Sequence, residues 1–290
     1  ILKSLGVSNE PLNKKPLQDL LKRILNESDI QLPILRNIHH WEVLLNGLSR
    51  IKRGLHDPSE EEIEFRISDS ENRAFPIIEF FNLFEKKCAE KMQVTFDGQI
   101  YSALILLLSN FYERYKIQNK FSHIIVDEYQ DLNSAQIALV RLLSSRGQEV
   151  FVVGDDDQLI YSWREVDDSN ILDFGQMFQN MKNYPLSTNY RSAKTIVRTS
   201  QRLIKYNVRR VQKNIEPHDS NPEGKAKVFC ADAITGQLKW IIELIKKHKQ
   251  KDPKKNKSIA ILTRHNLPQI LVAHALDKAG IPRHPLDHRI

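Results

Sequence analysis

Apolar residues along the first third of the chain recur at helical spacing. Leu17, Leu20, Leu21, Ile24 and Leu25 fall on one helical face, and Asn26 follows as a stop. Ile77, Phe80, Phe81 and Phe84 repeat the pattern. Residues 1 to about 95 therefore read as helical and irregular, with no strand expected among them. Asp57-Pro58-Ser59-Glu60-Glu61-Glu62 reads as a turn followed by a helix start. The charged residues of this stretch read as a solvated face without chemistry.

The pattern changes after Phe96-Asp97-Gly98. A helical block is expected from Ile100 to Tyr115, then a short apolar run from Phe121 to Val126 that ends abruptly in Asp127-Glu128. Helical spacing resumes at Ile137, Val140 and Leu143. A second apolar run, Val150 to Val153, ends in Gly154-Asp155-Asp156-Asp157-Gln158. This is strand, helix, strand, with both strands running into acidic loops. Ligands of open parallel sheets gather at the carboxyl ends of the strands, so these loops stand where a metal–phosphate ligand would lie.

Near Tyr184-Pro185 the chain passes into another unit. Helices are expected from just after Ser192 to about Lys205, from Leu238 to Lys249 and from Pro268 to Ala279, the last closed by Gly280 and Pro282. Strands are expected at Lys227-Val228-Phe229-Cys230 and Ile259-Ala260-Ile261-Leu262, and an exposed basic loop from Lys246 to Lys257. No repeat of fixed period is visible. The fold class is α/β, with parallel sheet flanked by helices.

A chain of 290 residues holds two domains or parts of three. Its 41% hydrophobic and 27% charged residues place it among soluble globular proteins. The net charge of +7 leans towards an anionic partner, nucleic acid first. Cys88 and Cys230 lie far apart and in no Cys-x-x-Cys pair, so neither a disulfide framework nor a zinc site is expected, and a reducing cytosol fits. The histidines, His39-His40 and His284 with His288 included, show no ligand spacing. The longest apolar run, Ala103 to Leu108, is far short of the roughly 18 residues that span a membrane. The chain opens on Ile1 without a starting Met or a signal-peptide pattern, and residues are expected ahead of it.

Two adjacent carboxylates at the end of a strand, as in Asp127-Glu128, read alone either as a solvated acidic turn or as a cation site. Mg²⁺ takes one or two carboxylates and keeps several waters, and a neighbouring carboxylate can deprotonate an attacking water. Tyr161, Trp163 and Arg164 combine aromatic faces and positive charge within a few residues. On its own that mixture is more often core packing or a surface pair than a site for sequence-independent single-strand binding.

The full strings decide between these readings. Val126-Asp127-Glu128-Tyr129-Gln130-Asp131, then Val153-Gly154-Asp155-Asp156-Asp157-Gln158-Leu159-Ile160-Tyr161-Ser162-Trp163-Arg164, then Leu186-Ser187-Thr188-Asn189-Tyr190-Arg191-Ser192 occur in this order. They resemble motifs II, III and IV of the UvrD/Rep family of superfamily 1 DNA helicases. Phe96-Asp97 resembles a Phe-Asp upstream of motif II, and Ile259 to Asn266 resembles the strand and DNA-contacting turn after motif IV. The resemblance implies partial RecA-like P-loop NTPase motor domains: residues 96–182 as the end of the first and 183–290 as the start of the second, with 1–95 as part of a helical insertion.

The resemblance also implies roles. Asp127 would hold Mg²⁺, and Glu128 would activate the water that attacks the γ-phosphate of ATP. Gln158 would sense that phosphate, and Arg191 would stabilise charge on the transferred group. Tyr190 would stack on adenine. Trp163, with Tyr161 and Arg164, would stack on a base of single-stranded DNA. Arg264 and Asn266 would touch DNA, although polar residues ending a strand are equally often structural. The implied activity is ATP-dependent 3′→5′ unwinding in the cytosol, on single strands and duplex junctions, alongside repair or replication proteins.

The chain departs from the family in several places. No Gly-x-x-x-x-Gly-Lys-Thr/Ser loop occurs in it. The Gly-Lys pair Gly224-Lys225 is followed by Ala226, and Asp219 stands where the first loop glycine belongs. The family places this loop ahead of motif II, so the chain reads as a fragment that should not hydrolyse ATP alone. A non-catalytic nucleic-acid-binding remnant and the motor of a helicase–nuclease are the alternatives. Glu165-Val166 replaces the usual Gly-Ala, and Leu159, Thr263 and Gly98 replace residues common at their positions.

Overall fold

The computed structural model describes residues 11–27, 38–68, 71–160, 166, 169–178, 180–251 and 258–285. Tyr161, Trp163, Arg164 and Glu165 lie outside the described residues, as do 252–257 of the basic run. The chain divides into two units: residues 1–187 with 201–215, and residues 188–200 with 216–290.

In the first unit the spaced apolar residues build α1 (Lys14–Glu27) and α2 (Ile38–Gly54). These are followed by a hairpin that the helical reading did not foresee. Strand β1 (Glu62–Ser68) pairs antiparallel with β2 (Glu71–Pro76), so Glu60-Glu61-Glu62 leads into a strand rather than a helix. The sequence Glu62-Ile63-Glu64-Phe65-Arg66-Ile67 alternates apolar and charged residues with period two, and that period overrides the helix-favouring glutamates. Ile63 points inward and joins Leu21, Ile24, Leu44, Ile51, Ile77, Phe80 and Phe84 in one buried cluster with α3 (Ile78–Glu90). Lys52 is buried at its edge, paired with Glu85 and lying 5.0 Å over the Phe84 ring.

The block expected from Ile100 to Tyr115 is two helices, α4 (Phe96–Ser109) and α5 (Phe111–Gln118). Asn110 divides them: its N–H closes α4 on the Leu106 carbonyl at 2.8 Å, and its Oδ1 accepts the Glu113 N–H at 3.1 Å to open α5. Strand β3 (His123–Val126), α6 (Ser134–Ser144) and β4 (Glu149–Val152) follow as strand, helix and parallel strand. Asn133 and Gln136 form a capping box that starts α6 directly behind the Asp127–Asp131 turn. Short turns α7 (Ser169–Leu172) and α8 (Phe174–Met177) complete this part.

In the second unit β5 (Thr188–Asn189) pairs parallel with β6 (Glu216–Pro217). Helix α9 (Lys194–Ile204) runs across the division between the units. Helices α10 (Ile234–Lys251) and α11 (Asn266–Lys278) pack through Ile245, Leu276 and Ile281. Lys246 to Lys251 therefore belong to a helix rather than a loop. The strands expected at 227–230 and 259–262 are not formed. An apolar run becomes a strand only when a neighbour pairs its N–H and C=O groups, and no ladder partner meets these among the described residues. Val228 and Leu262 are each 93% exposed as a result. Among the described residues no helix is long and apolar enough to cross a membrane.

Candidate active site

Asp127 and Glu128 stand exposed just beyond the end of β3. Glu128 has φ +49, the left-handed region, which costs a residue with a Cβ roughly 1–2 kcal/mol. The surroundings enforce that turn. The Tyr129 N–H donates to the Val153 carbonyl at 2.9 Å, and the buried Tyr129 ring meets Phe174 edge-on at 5.2 Å. The Glu128 N–H donates to Asp127 Oδ1 at 3.0 Å.

Gln130, almost fully buried, joins the two strand ends. Its Nε2 donates to Glu128 Oε2 at 2.7 Å, and its Oε1 accepts the Asp155 N–H at 2.9 Å. Gly154 makes the approach possible, because a Cβ there would lie 2.8 Å from Gln130 Oε1 and 2.9 Å from Ile171 Cδ1. On the second loop, Gln158 Nε2 donates to Asp155 Oδ2 at 2.7 Å. Asp127, Glu128 and Gln158 therefore share one hydrogen-bonded framework, although Gln130 and Asp155, which make it, carried no role in the sequence reading.

Asp155, Asp156 and Asp157 bring carboxylate oxygens within 4.8 Å of one another. Such a cluster would attract a cation, but two side chains of the chain itself already face it. Lys213 pairs with Asp155 and Asp156 and lies 3.1 Å from Asp157. Arg210, only 5% exposed, is bidentate on Asp157 at 2.9 and 2.6 Å. Burial pushes the Asp155 carboxyl up, but hydrogen bonds from Lys213 and Gln158 outweigh it and hold the group below its ordinary value. Burial likewise draws the Lys213 ammonium down, and its bonds to Asp155 and Asp156 more than reverse this.

A pH dependence follows. The stabilisation from a depressed Asp155 is present above its unfolded value near ~3.9 and is lost as pH falls through the folded one. That from a raised Lys213 is complete below ~10.4 and is lost as pH rises through the folded value. Lys213→Met should cost about 2 kcal/mol between these limits, less than a fully buried pair because Asp155 keeps access to water. Denaturant melts from acid to neutral pH should show the wild-type and variant curves converging at the acid end.

A cleft of about 410 Å³ opens beside Asp127 and Glu128, lined also by Arg53, Asp97, Asn133 and Gln136. Arg53 Nε lies 3.3 Å from Asp97 Oδ2. An arginine from α2 thus reaches the acidic corner, so the stretch read as lacking chemistry contributes a charge to it. An Arg–Asp pair so far apart in sequence leaves no local pattern to detect.

In the second unit, Tyr190 and Arg191 are exposed on one turn. Asn189 Oδ1 accepts the Arg191 and Ser192 N–H groups at 3.0 and 2.8 Å. Asn221 Nδ2 donates to the Asn189 and Ser192 carbonyls at 2.6 and 2.9 Å, fixing the turn from beneath. The Tyr190 ring rests on His218, centroids 4.6 Å apart. Asn221 and His218 are supports the sequence reading passed over. Gly224 (φ +72) packs on Ala193, where its Cβ would come within 2.4 Å. Pro222 and Glu223 carbonyls accept the Lys194 and Thr195 N–H groups at 2.9 and 2.8 Å. The Gly224-Lys225 pair is therefore a packing turn against the start of α9. Arg264 and Asn266 are exposed around the start of α11, apart from the Tyr190–Arg191 turn in sequence.

The donor set suits magnesium and nucleotide. The hydrogen bonds engage Asp127 Oδ1 and Glu128 Oε2, so each carboxylate keeps a second oxygen to offer a hard cation or a water. Carboxylates and a glutamine beyond two parallel strands define an α/β site of the class that gathers phosphate ligands at its strand ends.

Comparison with known proteins places this class more closely. Residues 5–179 match the UvrD/REP helicase N-terminal domain, and residues 184–289 match the UvrD-like helicase C-terminal domain. The chain belongs to the UvrD/REP helicase family. It is 32% identical over 247 residues to the ATP-dependent DNA helicase PcrA of Staphylococcus aureus (strain Mu50 / ATCC 700699), covering 83% of this chain and 32% of that protein. The PcrA of Staphylococcus epidermidis (strain ATCC 12228 / FDA PCI 1200) gives the same identity and coverage. The chain thus spans about a third of the length of these relatives.

Proposed function

We propose that the complete protein is an ATP-dependent 3′→5′ DNA helicase, with 1–95 as part of a helical insertion, 96–182 as the end of the first motor domain and 183–290 as the start of the second. The observation that carries this is the framework joining Glu128 to Gln158 through Gln130 and Asp155. It ties the base that would activate water to the amide that would read the γ-phosphate. Mg²⁺, when bound, would supply positive charge against the phosphates. Asp127 would give that ion an oxygen ligand. Glu128 would take the proton of the attacking water at its carboxylate, and Arg191 would place positive charge on the transferred group. Tyr190 would offer its exposed face to adenine. Trp163, Tyr161, Arg164, Arg264 and Asn266 would meet single-stranded DNA at its bases and phosphates. The proposed setting is the cytosol, with duplex junctions as substrate and repair or replication proteins as partners.

The test is strand separation by the full-length protein. A duplex with a 3′ tail should open with ATP and Mg²⁺, and one with only a 5′ tail should not. The 290-residue chain alone should show no DNA-stimulated hydrolysis. Single-strand binding by the full-length protein without any ATP turnover would replace the helicase reading with that of a non-catalytic binding protein.

A further inference from the structure

Residues 201–215 belong to the first unit, while the chain on either side of them belongs to the second. What anchors this strap is ionic. Arg210 and Lys213 both end on the aspartates of the 155–157 loop, and the Val211 N–H donates to Asp156 Oδ2 at 2.8 Å. Asp155 is the hub of that loop. Its N–H is held by Gln130, its Oδ1 by Lys213, and its Oδ2 accepts from Gln158. The Asp157 N–H also donates to Asp155 Oδ1, at 3.2 Å.

We propose that Lys213 is a positioning residue for Gln158 that acts through Asp155, with Arg210 fixing Asp157 alongside. Three carboxylates this close repel one another. Lys213 is the cation that all three share, so it sets where the Asp155 carboxylate stands. The Asp155 carboxylate in turn sets the Gln158 amide. Without the ammonium, the repulsion is opposed by Arg210 from the Asp157 side, and Asp155 turns away from its neighbours. Gln158 then loses its acceptor and samples other rotamers.

The inference rests on the reading of Gln158 as a nucleotide sensor, and the experiment separates the two. Full-length protein is titrated with fluorescein-labelled oligothymidine, with and without the Mg²⁺ complex of a non-hydrolysable ATP analogue. Wild type should change its single-strand affinity at least about fivefold on adding nucleotide. Gln158→Ala should abolish that change. Lys213→Met should also reduce it to below about twofold while leaving nucleotide-free affinity within about twofold of wild type. Lys213→Arg should restore it, and Lys213→Met combined with Gln158→Ala should match Gln158→Ala alone. If methionine at 213 prevents folding, Lys213→Gln keeps an N–H donor without the charge and gives the same readout. Hydrogen exchange of the 155–158 peptide should rise in either variant. A Lys213→Met protein that melts lower yet keeps its nucleotide response, while Gln158→Ala loses it, would overturn the positioning role and leave the sensor reading standing. No nucleotide response in wild type would remove the sensor reading and the inference together.

Discussion

Glu128→Gln in the full-length protein should retain nucleotide binding and lose about a hundred- to ten-thousandfold in turnover. The substitution is nearly isosteric. It keeps an acceptor for Gln130 Nε2, so the turn should hold its shape. What it removes is the carboxylate able to take a proton from water. A binding titration with a fluorescent ATP analogue, run beside a steady-state hydrolysis assay, separates the two effects. Unaltered turnover would remove Glu128 from its role, and lost binding would make it a ligand residue instead. Because Glu128 sits at positive φ, Glu128→Gly should relieve backbone strain while losing turnover equally.

Phe84→Ala should destabilise the cluster of α1, α2, α3 and β1 by about 3–5 kcal/mol. Phe84 is 1% exposed and touches Phe80 in a stacked pair with ring centroids 6.4 Å apart. Its ring also carries the buried Lys52 ammonium at 5.0 Å. The truncation therefore opens a cavity and weakens the surroundings of a buried charge at the same time. Urea denaturation followed by tryptophan fluorescence reads this cluster through Trp41, which lies within it, once Trp163 and Trp240 are replaced by Phe. A shift worth less than about 1 kcal/mol would mean that the cavity collapses around its neighbours.

The parts of this protein that could be read from its sequence are those written in local periodicity. The βαβ passage from β3 to β4 showed itself because two apolar runs end in carboxylates with helical spacing between them. The β1–β2 hairpin was hidden because its alternation sits behind three glutamates that favour a helix. The extended runs at 227–230 and 259–262 illustrate the reverse case, since strand formation depends on a partner that the run does not encode. Among the residues proposed for the site, Asp127, Glu128, Gln158, Tyr190 and Arg191 stand out through their strings. Gln130, Arg210, Lys213, Arg53 and Asn221 do not, because each works through a contact distant in sequence or a shared hydrogen bond. Lys213 in particular looks like one more surface lysine until the aspartates it faces are seen.

As proposed, Asp127 and Glu128 form a metal and water corner rather than a solvated acidic turn. Mn²⁺ affinity, measured by electron paramagnetic resonance on the full-length protein with a non-hydrolysable ATP analogue, tests it most directly. Asp127→Asn should bind Mn²⁺ at least about tenfold more weakly than wild type. Its affinity for the nucleotide without metal should stay unchanged. Equal Mn²⁺ affinity in the two proteins would make Asp127 and Glu128 a solvated acidic turn instead.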